Sequence, residues 1–89
     1  MVFDKQEWTE LLTLTDGLNP TEQMVLMHYS TLFDSRGQAP AKPKLLAKAT
    51  GASEKAVRQI LTKAKNDSWL EAIDLDGRKG YRATIPDVL

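Results

Sequence analysis

At Asn66-Asp67-Ser68 the hydrophobic period of this chain changes. Before that point Ala56, Val57, Ile60, Leu61 and Ala64 recur at the spacing of one face of an α-helix. After it, Trp69 to Leu75 and Tyr81 to Ile85 are short, rich in β-branched and aromatic residues, and separated by Asp76-Gly77-Arg78-Lys79-Gly80. That pattern predicts two strands of a hairpin around a Gly-bracketed loop. In the second strand Tyr81, Ala83 and Ile85 share one face, Arg82 and Thr84 the other. A chain with this single switch of period must pack helices against a small hairpin.

The helices announce themselves by their starts. Phe3-Asp4-Lys5-Gln6-Glu7-Trp8 places Asp4 as N-cap and Glu7 three residues on, with Phe3 and Trp8 at the two positions of a hydrophobic staple. This predicts a first helix over about 4–15. Asn19-Pro20-Thr21-Glu22 repeats the signal, with Pro20 at the first helical position, and MVLMHYSTLF then reads as a helix surrounded by others. Asp34 to Pro40 is loop by composition. A third helix begins near Pro43 and ends before Thr50-Gly51. Gly51-Ala52-Ser53 is a tight connection, with Ser53 placed to accept from the amide of Ala56.

With 89 residues the chain is expected to be a single domain over 1–89. It can bury somewhat over ~60% of its unfolded surface around one core. The chain has no Cys, which excludes disulfides and thiolate metal sites. No apolar run approaches the ~18 residues of a membrane span, and MVFDKQEW has no basic, apolar leader pattern, so the expected location is cytoplasmic. Net charge is zero but unevenly spread. Residues 1–34 hold six acids (Asp4, Glu7, Glu10, Asp16, Glu22, Asp34) against Lys5, whereas residues 35–89 hold eleven bases and six acids. Such asymmetry points towards a polyanion at the basic half.

Two short helices across a Gly-containing turn form a helix-turn-helix, and a hairpin directly after the second helix is a wing. The residues themselves carry a likeness. "LNPTEQMVLMHYSTLFDSRG" and "KLLAKATGASEKAVRQILTKAKNDSWLEA" resemble the winged helix-turn-helix domains of bacterial, phage and plasmid replication and regulatory proteins. Leu46-Ala47, Thr50-Gly51, Ser53, Val57, Leu61 and Trp69-Leu70 carry the match, which spans about residues 18–85. Three positions depart from it: Lys42 where a Ser or Thr cap is usual, Ser68 where a Gly commonly ends the recognition helix, and Glu54 where a base is frequent. The expected class is mainly α (α+β), four helices followed by a two-stranded β-hairpin wing.

The resemblance implies a recognition helix over about 53–65 in the major groove of duplex DNA and a basic wing over about 76–81. On the polar side of that helix lie Lys55, Arg58, Gln59 and Thr62. Arg bonds bidentately to guanine, Gln to adenine, Lys to guanine or phosphate, and Thr to phosphate or the thymine methyl. The bland alternative is a solvated helix face. Ser53 offers a helix N-terminus to a phosphate. Arg78 and Lys79 are placed at the hairpin tip to reach phosphates or the minor groove. Lys44, with Lys42 and Lys48, lies on the first helix of the motif, which crosses the backbone in such folds. Lys63 and Lys65 are explained by the dipole at a helix C-terminus.

His28 stands alone and reads as a partly buried structural residue, not a ligand. Trp8 and Trp69 read as core, and Tyr81 is the one aromatic placed to stack on bases. No catalytic constellation, metal set or cofactor motif emerges, and no small-molecule ligand is expected. Two functions remain. One is sequence-specific binding of double-stranded DNA, as a transcriptional regulator or a plasmid or phage replication initiator domain, either as a homodimer, with the acidic first helix as candidate surface, or as part of a larger nucleoprotein assembly. The other is a winged-helix protein-interaction module without DNA contact.

Overall fold

The computed structural model describes residues 3–87. It is an α+β molecule of four helices and a three-stranded antiparallel sheet: α1 (Lys5–Leu14), α2 (Pro20–Ser30), β1 (Gln38–Pro40), α3 (Pro43–Thr50), α4 (Glu54–Asn66), β2 (Leu70–Leu75) and β3 (Arg78–Ala83). Among the described residues no helix is long and apolar enough to cross a membrane.

The caps form where the sequence places them. Asp4 accepts from the Glu7 amide at 3.0 Å. At α2 the box is reciprocal: Asn19 accepts from the Glu22 amide at 2.8 Å, and Glu22 accepts from the Asn19 amide at 2.9 Å. Ser53 accepts from the Ala56 amide at 3.0 Å. Gly51 ends α3 in the left-handed region at φ +80 and donates to the Ala47 carbonyl. Lys42 provides no side-chain cap to α3.

The sheet departs from expectation in two places. Residues 38–40, read as loop, form a third strand, so the order is β1-β3-β2 with β3 central. The register pairs Ala39 with Tyr81 and Ala72 with Tyr81 from the other side. Three residues that follow a Gly and end in a Pro carry no periodicity; the strand is made by its surroundings. The Asp34 carboxylate accepts from the amides of Arg36 and Gln38 at 2.8 and 3.1 Å, and the Asp34 amide donates to the Gln38 carbonyl. Those amides, Gln38 first, hold the Asp34 carboxyl below its ordinary value. Gly37 sits at φ +75 with the Phe3 ring 2.8 Å from where a Cβ would stand, so neither its backbone nor its neighbour admits a side chain.

The second departure is the hairpin turn. It is two residues long, Asp76-Gly77, both at positive φ (52 and 86), the geometry that matches the twist of paired strands. Arg78 and Lys79 therefore belong to β3, opposite Leu75 and Asp74, not to a loop tip. Gly80 is inside the strand because Leu75 and the Ala39 carbonyl fill the space of a Cβ.

One core joins helices and sheet. All six aromatics of the chain enter a run of edge-to-face contacts: Trp69 to Trp8 (6.2 Å), Trp8 to Phe33 (5.2 Å), Phe33 to Tyr29 (5.0 Å), Tyr29 to Tyr81 (6.2 Å), with Phe3 on Phe33 (5.6 Å). Phe3 and Trp8 thus meet across Phe33. Tyr81, the one aromatic that a stacking role on single-stranded bases could have used, is 3% exposed, because its strand face is the one turned to the core. The Tyr29 hydroxyl donates to the Ala39 carbonyl at 2.8 Å, and burial raises its pKa. The Trp8 indole donates to the Thr84 carbonyl at 2.9 Å. Trp8 and Leu12, the apolar face of α1, are fully buried. The first helix therefore packs in cis, and this face is not free to dimerise. His28, expected to be partly buried, is exposed: α2 turns Glu22, Val25, Leu26, Tyr29 and Ser30 inward, and position 28 falls on the opposite side.

Candidate nucleic-acid interface

Helix α4 buries Val57, Ile60, Leu61 and Ala64 and turns Lys55, Arg58, Gln59 and Thr62 to solvent. Positions i, i+3, i+4 and i+7 of a helix form one stripe. With 13 residues the helix is about 20 Å long at ~1.5 Å per residue, enough to lie along a groove ~12 Å wide. Its N-cap Ser53 is exposed, its oxygen engaged by the Ala56 amide.

Arg58 is not idle on that stripe. Its guanidinium donates to Glu54 at 2.5 Å, one turn back, both side chains being open to solvent (62% and 36%). The departure at Glu54 thus has a local role: it occupies the arginine. An exposed i,i+4 pair of this kind is worth only about 0.3–0.5 kcal/mol.

The hairpin contributes unevenly. Neighbouring residues of a strand point to opposite faces, so Arg78 and Lys79 part company. Lys79 lies on the side of Tyr81, its ammonium 5.6 Å from that ring's centre. Arg78 is exposed on the other side, with Arg82, which pairs with Glu71 at 2.7 Å across the strands. A cleft lined by Ala41, Pro43, Arg58, Leu61, Thr62, Lys79 and Tyr81 brings together the outer face of α4, the inner side of β3 and the first residue of α3. Lys44, next along α3, is exposed, as is Lys48 one turn later.

Two cations have structural assignments. Lys63 donates to the Gly17 carbonyl at 3.0 Å and pairs with Glu22 at 3.1 Å and Asp67 at 3.5 Å, tying α4 to the start of α2. Its hydrogen bond to Glu22 is the main cause of its raised pKa. The helix-dipole account of Lys63 explained its position but missed this anchor, which no local pattern encodes. Arg82 is spoken for by Glu71. The cleft was equally hidden, since it joins residues from three separate elements.

In comparisons with protein-family models, curated proteins and solved structures, no match to this chain was found.

Proposed function

We propose that this chain is a winged helix-turn-helix module that binds double-stranded DNA sequence-specifically. Helix α4 lies in the major groove and the β2–β3 hairpin rests beside it, within a transcriptional regulator or a plasmid or phage replication initiator. The observation that carries the reading is the alignment of Lys55, Arg58, Gln59 and Thr62 on one exposed stripe whose edge shares a cleft with Lys79. A groove reader needs donors for base edges and cations for phosphates within reach of one another, and the stripe supplies both.

Lys55 and Gln59 are the base-reading residues, Arg58 reads guanine once it leaves Glu54, and Ser53, Lys44 and Thr62 meet the backbone. A bidentate arginine–guanine contact discriminates by about 1–3 kcal/mol, more than the Glu54 pair supplies, so the exchange is favourable on the right sequence. Arg78 serves as a phosphate contact from the opposite side of the hairpin. A single small module reads few base pairs, so two copies on a palindromic site belong to the proposal.

The Glu54–Arg58 pair also favours a second reading, a winged-helix module that docks on a protein partner without DNA contact. Selection of bound fragments from random duplexes separates the two. The DNA reading predicts an enriched motif whose preferences relax at one position in Gln59→Ala and at another in Arg58→Ala. No enrichment over input, with a folded protein, would leave only the protein-docking reading.

A further inference from the structure

We infer that the cleft between α4, β3 and the start of α3 is a seat for one phosphate group. In the duplex complex this is a backbone phosphate, an identity that rests on the DNA-binding reading, whereas the seat itself does not.

Charge sets this cleft apart. Arg58 and Lys79 line the cleft from opposing elements, and no carboxylate lines it. Three other surface depressions do carry acids: Glu71 and Asp87, Asp67, and Glu54. The acids nearest in sequence are otherwise engaged. Glu54, outside the cleft, occupies Arg58 and leaves Lys79 as the cation open to an anion there, while Asp74, opposite Lys79, accepts from the Gly77 amide at 2.8 Å. Lys79 enters no ion pair among the described residues.

Hydrogen bonding adds to this. Thr9, Thr13, Thr31 and Thr50 spend their hydroxyls on carbonyls three or four residues back. The Thr62 hydroxyl makes no hydrogen bond among the described residues, and Thr62 faces the cleft. Pro43 opens α3 at the same place, and Lys42 provides no side-chain acceptor for the amides that follow. Leu61 and Tyr81 add an apolar lining, which strengthens charge-assisted bonds above it. At about 260 Å³ the cleft lies below the ~300–1,000 Å³ of pockets that enclose whole small molecules and has room for one phosphate group with its waters. A phosphate held there by Lys79 and Thr62 would fix the register of α4 and leave Lys55, Gln59 and Arg58, at the cleft's edge, to the bases.

The test has two arms on the full chain. Titration with inorganic phosphate, followed by amide NMR shifts against chloride at matched ionic strength, is expected to move the amides of Thr62, Lys79, Lys44 and Leu45 saturably. Salt titrations of duplex binding are then compared for wild type, Lys79→Ala, Thr62→Val and the control Lys65→Ala, each checked for an unchanged fold. Lys79→Ala is expected to weaken all sequences by a similar factor and to lower the salt slope by about 0.9, and Thr62→Val to weaken binding without a slope change, with Lys65→Ala near wild type. The inference is overturned if phosphate gives no saturable shift at these amides. It is equally overturned if the wild type binds duplex and Lys79→Ala keeps its slope. Saturable phosphate binding in a protein with no duplex affinity would remove the DNA reading and leave the seat standing.

Discussion

Ser68 holds φ +68, a left-handed backbone that costs a residue with a Cβ about 1–2 kcal/mol. It does so to close α4: the Ser68 amide donates to the Lys65 carbonyl at 3.2 Å and the Trp69 amide to Ala64 at 2.8 Å, the paired bonds of a Schellman ending. The Ser68 side chain enters no hydrogen bond among the described residues. Ser68→Gly is therefore expected to stabilise the protein by about 0.5–1 kcal/mol, after allowing for the looser unfolded chain. Thermal unfolding should show this as a rise of several degrees; an unchanged or lower midpoint would mean that the strain is not there. Glu54 makes the second prediction at this scale. Removing its charge in Glu54→Gln frees Arg58 and takes an anion from the side proposed to face DNA. Affinity for random duplex should rise, with the specific-to-random ratio falling, measured by competition against unrelated duplex. Equal gains on both would show that Glu54 does not guard specificity.

At the scale of elements, what was legible followed from local chemistry. Asn19-Pro20-Thr21-Glu22 and Ser53 cap their helices as read, and the stripe of α4 divides into buried and exposed sides at the expected residues. What was not legible is non-local. Gln38–Pro40 becomes a strand because β3 offers an edge and Asp34 bends the chain towards it. Asp76-Gly77 takes the shorter of two possible turns, since Gly80 is needed beneath Leu75, and this moves Arg78 and Lys79 out of the loop. The stripe residues Lys55, Arg58, Gln59 and Thr62 could be listed from the helix period alone. That Lys79 joins them and Arg78 does not depends on strand register. Lys63 illustrates the same limit, its partners Gly17 and Glu22 lying far away in the sequence. Lys63→Met is expected to destabilise by about 1 kcal/mol, the upper end for a solvent-exposed pair because a carbonyl contact is lost too. Since the folded state raises the Lys63 pKa, this contribution is complete below the unfolded value near ~10.4 and disappears as pH rises through the folded value. Denaturant unfolding of both proteins should show the gap closing at strongly alkaline pH, and a gap that persists there would assign the loss to packing instead.

The whole molecule measures 33 × 29 × 20 Å and has one core, whose aromatic run passes from α1 through α2 to the middle strand of the sheet. That run makes α1 part of the fold, its Trp8 indole bonded to the Thr84 carbonyl near the chain's other end. A module of this size that binds DNA covers about 600–1,000 Å² of its own surface. Out of 5655 Å² in total, the proposed binding mode has the stripe and the hairpin work as one patch. Affinity from such a patch is set chiefly by the phosphates it neutralises and falls with salt accordingly. The most direct measurement is the affinity of the full chain for duplex DNA across a salt series starting near ~50 mM. A straight log–log decline is expected, with a slope of about −3.6 to −4.5 for about four or five neutralised phosphates. Absent duplex binding at the lowest salt, or an affinity indifferent to salt, would contradict it.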